Sequence, residues 1–300
     1  MNLVSRLRDH LLGPKKPADE PEPAEEADSG MMVAVDYPLH PRPRWGYEVP
    51  LPGRIIEVLE RGRERYEEIL RAFRGHIPAF LAIPRLPKQA EPETPSWINE
   101  FLSALDSIAL YHLLAEHRPA TYLEIGSGES TKFARRAIED RRLPTRVLSL
   151  DPEPRSGIDR LCDQVIRQPL EDIDLALFAE LRSGDMVFYD GSHRVFTNSD
   201  VTVMFLEVLP ALPPGVLVQI HDIYLPWDYP PDWNERYYSE QYLLAMALLA
   251  GGDFFEVVLP NTFVTRDPEL SELLDPLWEL PVFAGAELHG ESFWIRTRAR

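Results

Sequence analysis

TYLEIGSGEST, residues 121–131, is the stretch on which the fold turns. TYLEI is a short apolar run of strand length. Gly126-Ser127-Gly128 ends it, and from Ser130 to Asp140 the pattern is helical. The two glycines allow a tight turn and a close backbone approach to a ligand, with no Cβ in the way. The helix behind them aims free N–H groups at that ligand. RVLSL (146–150) reads as the next strand and ends at Asp151. In doubly wound sheets an acid at that place accepts hydrogen bonds from ribose hydroxyls.

Strand-like runs continue at 163–166, 185–190, 215–221, 254–259 and 292–297, with helical patterns at 172–182, 198–209 and 236–250. Alternation of this kind implies right-handed βαβ units on a parallel sheet of about seven strands. Between the last two strands only 267–278 has a helical pattern, broken by proline, so an antiparallel final strand is expected. Upstream, helices are expected over 54–74 and about 96–117. Residues 36–53 are Pro-rich and read as extended. Residues 2–12 have Leu3, Leu7 and Leu11 on one stripe of a short amphipathic helix, which could dock weakly on a partner. Residues 13–30, rich in Pro and Glu, read as a disordered linker. The expected division is 1–35 (short helix and linker), 36–95 (Pro-rich and helical extension) and 96–300 (the α/β domain).

Lys+Arg number 31 against 49 Asp+Glu, a formal net charge of −18. Phosphate backbones bind through Lys and Arg, so nucleic acid is not an expected partner. The single cysteine, Cys162, excludes an internal disulfide and a cysteine metal cluster. The start lacks the apolar core of a signal peptide, and no apolar run has the roughly 18 residues of a membrane helix. A cytoplasmic location is expected, and a homo-oligomer is compatible with the chain.

A dinucleotide fingerprint requires a third glycine, where this chain has Ser130 or Thr131. Glu124, read as an acid inside the turn, also argues against a pyrophosphate and for a cationic or hydroxylated ligand. S-adenosylmethionine has an ammonium, a sulfonium and a ribose diol but no phosphate, and suits Glu124, Gly126, Ser127, Gly128, Ser130 and Asp151. On these residues the chain resembles the class I S-adenosylmethionine-dependent methyltransferases. LEIGSGEST is similar to their first motif, LSLDPEP to the ribose-binding second, and GDMVFYDGSH and GVLVQIHDI to their fourth and fifth strands. The resemblance covers 121–297 and is nearest to a bacterial group with DGSH and HDI motifs followed by EQYLL. It implies a Rossmann-like α/β fold, a seven-stranded sheet in the order 3-2-1-4-5-7-6 with strand 7 antiparallel, flanked by helices and preceded by an N-terminal helical extension. It also implies that Gln168, Leu170 and Glu171 lie near the adenine and that Asp190 borders the cofactor.

In an open α/β sheet the ligand crevice lies at the carboxyl ends of the strands. Asp190 and His193 leave the fourth strand there, and His221 and Asp222 the fifth. These four are the candidate catalytic residues. Two chemistries are open to them. Asp190, His221 and Asp222 could hold a divalent metal that lowers the pKa of an acceptor hydroxyl. Alternatively, a histidine oriented by an aspartate could act as general base. Metal-dependent O-methyltransferases of this fold carry an Asp-Asp or Asp-Asn pair where this chain has His221-Asp222, a departure that questions a magnesium site. Tyr224, Trp227, Tyr229 and Trp233, stiffened by three prolines, read as a wall of a small-molecule pocket, or as packing for Trp45 and Tyr47. Arg236, Glu240 and Gln241 could border it; Asp228 and Asp232 are expected to face solvent. The expected function is methyl transfer to a hydroxyl of a small molecule, a sugar or other polyhydroxylated metabolite. The alternatives are a non-catalytic cofactor- or glycan-binding member of an assembly and an NAD-dependent oxidoreductase.

Overall fold

The computed structural model describes residues 36–88, 91–154, 157–251 and 254–299. The N-terminal amphipathic helix and acidic linker expected from the sequence lie outside the described residues. Pro41–Arg300 forms one compact unit.

Its sheet has seven strands: β1 (Thr121–Ile125), β2 (Arg146–Leu150), β3 (Gln164–Ile166), β4 (Met186–Tyr189), β5 (Leu217–Ile220), β6 (Phe255–Pro260) and β7 (Phe293–Thr297). Their spatial order is 3-2-1-4-5-7-6, as expected. The first five strands run parallel, and β7 lies antiparallel between β5 and β6. The central strands β4 and β5 are buried along their whole length, which is why they read as unbroken apolar runs.

Register places the functional ends. Ile125 pairs with both Leu150 and Tyr189, and Tyr189 with Ile220. The next residue on each strand is therefore Asp151, Gly126, Asp190 and His221, in one row. Backbone bonds hold that row: Asp190 N–H to Ile125 O (2.9 Å) and His221 N–H to Tyr189 O (2.9 Å).

Several helices differ from expectation. The stretch 54–74 divides into α1 (Gly53–Glu60) and α2 (Arg63–Ala72). The Tyr66 ring lies against Gly62 so closely that a Cβ there would meet it at 2.3 Å. The helix expected from 96 begins at 104, as α3 (Ala104–His117). Asn99 closes a turn ahead of it, accepting from Phe101 and Leu102 N–H and donating to Ser96 and Leu102 carbonyls. This leaves Phe101 exposed. After β1 comes α4 (Glu129–Arg141). The stretch 172–182 holds only one helical turn, Ala176–Ala179. Residues 200–211 wind through a π turn at Met204–Val208. The helix expected at 236–250 begins at Ser239 as α5 (Glu240–Leu249), because Tyr237 adopts left-handed backbone (φ 55°). Among the described residues no helix is long and apolar enough to cross a membrane.

Helix α3 is buried continuously from Ala104 to Leu114, so its polar residues must be satisfied internally. Asp106 accepts from Asn261 Nδ2 (2.6 Å) and from the backbone N–H groups of Glu291 and Ser292 (each 2.9 Å). It thereby fastens α3 to the start of β7. Asp106→Ala should destabilise the fold by about 3–5 kcal/mol in urea unfolding, because it orphans three buried donors. A loss below about 1 kcal/mol would show that these bonds do not hold the layers together.

Candidate functional site

Two cavities open above the row of strand ends. The first, of about 360 Å³, lies over the glycine turn and is lined by residues 125–130, 150–153 and 169–171, with Phe101, Leu102, Phe188, Asp190, Gly191, Ser192 and Asp200. The second, of about 690 Å³, lies beyond β4 and β5. Asp190 and Phe101 line both.

The turn is built from below. Gly126 has φ +79°, and a Cβ on it would meet the Asp190 carbonyl oxygen at 1.9 Å, so glycine is required. Ser127 N–H donates to Asp151 Oδ2 (2.7 Å), and Glu153 N–H to Asp151 Oδ1 (2.8 Å). Asp151 is thus aimed by two backbone donors at the end of β2. The Ser127 and Ser149 hydroxyls lie 2.7 Å apart.

Glu124 departs from its expected place. It is fully buried, does not line the cavity, and bonds the Tyr122 hydroxyl (2.9 Å) and the Thr131 hydroxyl. Thr131 in turn accepts from Gly128 N–H (3.1 Å). Glu124 therefore braces the turn and does not face a ligand; burial pushes its carboxyl up to about 7. Tyr122 and Glu124 share one face of β1 by strand alternation, the signal that could have placed Glu124 inside. Gln168 is exposed and also off the cavity, whereas Pro169, Leu170 and Glu171 line it.

Among the described residues no Lys or Arg lines the first cavity, while Glu129, Asp151, Glu153, Glu171, Asp190 and Asp200 do. Such a lining suits a ligand carrying positive charge and no phosphate.

At the boundary of the two cavities the four polar residues meet. His193 Nε2 lies 3.1 Å from Asp190 Oδ1 and 3.4 Å from Asp222 Oδ2. His221 Nδ1 lies 3.2 Å from Asp222 Oδ1 and 3.8 Å from Asp190 Oδ1. Two further carboxylates stand behind the rings: Glu240, expected from the sequence only as a residue bordering the pocket, and Asp106, not singled out there. Glu240 Oε1 is 2.5 Å from His193 Nδ1, and Asp106 Oδ2 is 3.5 Å from His221 Nε2. Each shares a helical stripe with buried apolar residues: Glu240 with Leu244 and Leu248, Asp106 with Ala109 and Leu113. An acid in phase with a buried stripe is the signal that could have found them.

Burial alone would lower the His193 imidazole, but Glu240 and Asp190 outweigh it and hold the ring well above its usual range. The same opposition at His221 is won by Asp222, Asp190 and Asp106. Glu240 is pushed up to about 7 by burial, against the pull of His193. Burial would also raise Asp106, but His221 and the Glu291 and Asn261 donors hold it below the usual carboxylate range. His193 (φ 64°) and Asp222 (φ 55°) both adopt left-handed backbone, a local strain of the kind that gathers at functional sites.

The donor atoms of Asp190, His193 and Asp222 all lie within 4.8 Å of one another and could hold a metal ion. His193 thus takes the place expected of His221. Its left-handed turn after β4 brings the ring back over Asp190, a reversal that strand assignment alone does not reveal.

The aromatic segment serves both expected purposes. Tyr224, Trp233 and Tyr238 line the second cavity with Arg236, Arg266 and His289. Arg236 lies flat over Trp233, its carbon 3.8 Å from the ring centroid. Trp227 instead packs on Gly46, where a Cβ would meet it at 2.4 Å. Asp228, expected in solvent, is buried: it accepts from Arg44 N–H (2.6 Å) and the Tyr242 hydroxyl (2.6 Å), tying the Pro-rich segment down. Asp232 is exposed.

Residues 123–223 match a family described as a methyltransferase domain. No curated protein matches the sequence. Similar solved structures include the O-methyltransferase TomG from Streptomyces achromogenes, involved in tomaymycin synthesis and solved with S-adenosylmethionine (SAM). It is 18% identical, with a TM-score of 0.40, 74% of this chain and 90% of that one being covered. The methyltransferase PaMTH1 of Podospora anserina is 16% identical, with a TM-score of 0.40, covering 85% of this chain and 100% of that one. An O-methyltransferase from Bacillus cereus is 14% identical, with a TM-score of 0.38, covering 84% and 94%. The family match spans the parallel part of the sheet, from β1 to β5, and the strand order 3-2-1-4-5-7-6 with an antiparallel β7 is a Rossmann-like fold.

Gly126→Ala should weaken binding of S-adenosylhomocysteine at least about tenfold in calorimetric titration, since the turn must open to admit the Cβ. Binding at full affinity would show that the turn does not shape the ligand site.

Proposed function

We propose that the chain transfers a methyl group from S-adenosylmethionine to a hydroxyl of a small polyhydroxylated molecule. The observation that carries this reading is a cavity at a glycine turn, lined by carboxylates and, among the described residues, by no Lys or Arg, and joined through Asp190 to a second cavity at the histidine–carboxylate cluster. The residues fit the cofactor. Asp151 is oriented to accept from ribose hydroxyls, Leu170 offers an apolar surface, and the surrounding carboxylates favour an ammonium and a sulfonium. The same lining repels a pyrophosphate and speaks against a dinucleotide.

When bound, S-adenosylmethionine supplies the electrophilic methyl. Asp190, His193 and Asp222 would hold a divalent cation, which supplies Lewis acidity that lowers the pKa of the acceptor hydroxyl. Two carboxylate oxygens and one imidazole suit Mn²⁺ or Zn²⁺ better than Mg²⁺, which favours oxygen donors throughout. A ring crowded by carboxylates is a poor free base but a good ligand, because its Nε2 proton can be exchanged for a cation. A cation that offset the charge of Asp190 and Asp222 would remove the field that keeps the His221 ring protonated, and that imidazole could then take the proton released by the hydroxyl. Tyr224, Trp233 and Tyr238 line the second cavity and offer aromatic surface on which a sugar ring would stack. Much of the rate then comes from holding hydroxyl and methyl in line.

A second reading has one observation in its favour. The buried Glu240–His193 contact of 2.5 Å also suits a metal-free general base on the hydroxyl. Methyl transfer from radiolabelled S-adenosylmethionine to a panel of sugars and polyols decides between the two. Chelation with EDTA should abolish transfer, Mn²⁺ should restore it, and Asp190→Asn should lower turnover by about 10²-fold or more. Full turnover in chelator would overturn the metal reading, and the absence of S-adenosylmethionine binding would overturn both.

A further inference from the structure

We propose that Glu240 is the positioning residue of the site, fixing the His193 ring so that Nε2 faces Asp190 and Asp222; this rests on the function proposed above. The inference comes from what each buried carboxylate does. Asp106 has three protein donors besides its histidine and joins α3 to β7, so it serves the fold in any case. Glu240 is equally buried, yet its one hydrogen-bond partner among the described residues is His193 Nδ1, and its Oε2 has none. Burying a carboxylate on such terms costs stability. The two segments that Glu240 joins are already tied by the backbone and hydroxyl bonds of Ser239, so what its carboxylate adds is a fixed imidazole.

The delivery of Glu240 is equally specific. Ser239 N–H donates to His193 O (2.8 Å), and the Ser239 hydroxyl accepts from Val195 N–H (2.9 Å). These bonds tie the loop after β4 to the first turn of α5, where Glu240 lies. The Tyr238 ring stacks on the His193 face at 4.4 Å between centroids and 27° between planes. With one face covered and Nδ1 bonded to Glu240, the other nitrogen is held toward the aspartates, 3.1 Å from Asp190 Oδ1 and 3.4 Å from Asp222 Oδ2. A histidine that serves a metal or a substrate through one nitrogen is oriented by the hydrogen bond at the other.

Two variants separate positioning from structure. Glu240→Met fills similar volume without an acceptor; Glu240→Gln keeps a carbonyl acceptor. In histidine-labelled protein, NMR should show a downfield Nδ1 proton for His193 in the parent and in Glu240→Gln, lost in Glu240→Met. Titration of metal-free protein with Mn²⁺ should give an affinity about 10- to 100-fold lower in Glu240→Met, and a smaller loss in Glu240→Gln. S-adenosylhomocysteine affinity and melting temperature should not fall in either. The proposal is overturned if Glu240→Met keeps the Nδ1 resonance. It is also overturned if melting temperature and S-adenosylhomocysteine affinity fall with the Mn²⁺ affinity, since a structural role would produce that pattern. If the parent protein takes up no Mn²⁺, the metal reading fails, and the imidazole resonance still decides the role of Glu240.

Discussion

The register of three neighbouring strands is the constraint on which the site depends. Ile125, Tyr189 and Ile220 are paired across β1, β4 and β5, so Gly126, Asp190 and His221 emerge side by side. A shift of one residue in β4 would turn Asp190 to the other face of the sheet. Buried strands resist such a shift because every side chain on both faces is packed. The chemistry at the strand ends is therefore held by the apolar core beneath it, and above all by β4 and β5, whose residues are all buried.

On that row the chain assembles an expensive set of groups. Asp106, Asp190, Asp222 and Glu240 surround two buried histidines at contact distances of 2.5 to 3.8 Å. In water these charges would be solvated; here they are satisfied mainly by one another. Each histidine has one nitrogen toward a carboxylate behind it and the other toward the Asp190–Asp222 pair. An excess of carboxylates facing a cavity is an arrangement that a bound cation would relieve, and it stands beside the cavity with the acidic lining. Both halves of the site thus favour positive charge, which in the proposed function is a sulfonium and ammonium in one and a metal ion in the other.

Much of this was legible in the sequence, and the remainder was hidden for definite reasons. The strand order followed from resemblance at LEIGSGEST, LSLDPEP and the two later strands, where long apolar runs and glycine turns are local features. Gly126 and Asp151 could be placed at the rim of the first cavity because each stands at the end of a strand. Glu124 was misjudged because it lies within β1, where alternation turns it into the protein, and not in the turn itself. Glu240 and Asp106 are the reverse case: their spacing places them on buried helical stripes, but nothing local says which histidine each will meet. The exchange of His193 for His221 among the metal donors depends on a left-handed residue, which sequence rarely betrays outside glycine and asparagine.

The central claim is that a methyl donor and a cation-assisted acceptor meet at Asp190. Anomalous diffraction from crystals grown with Mn²⁺ and S-adenosylhomocysteine tests it most directly. The arrangement predicts one manganese peak at ligand distance from Asp190, His193 and Asp222, with the cofactor sulfur in the first cavity beside it. Crystals with the cofactor in place and no peak between those three residues would contradict the cation; a cofactor bound elsewhere would contradict the site.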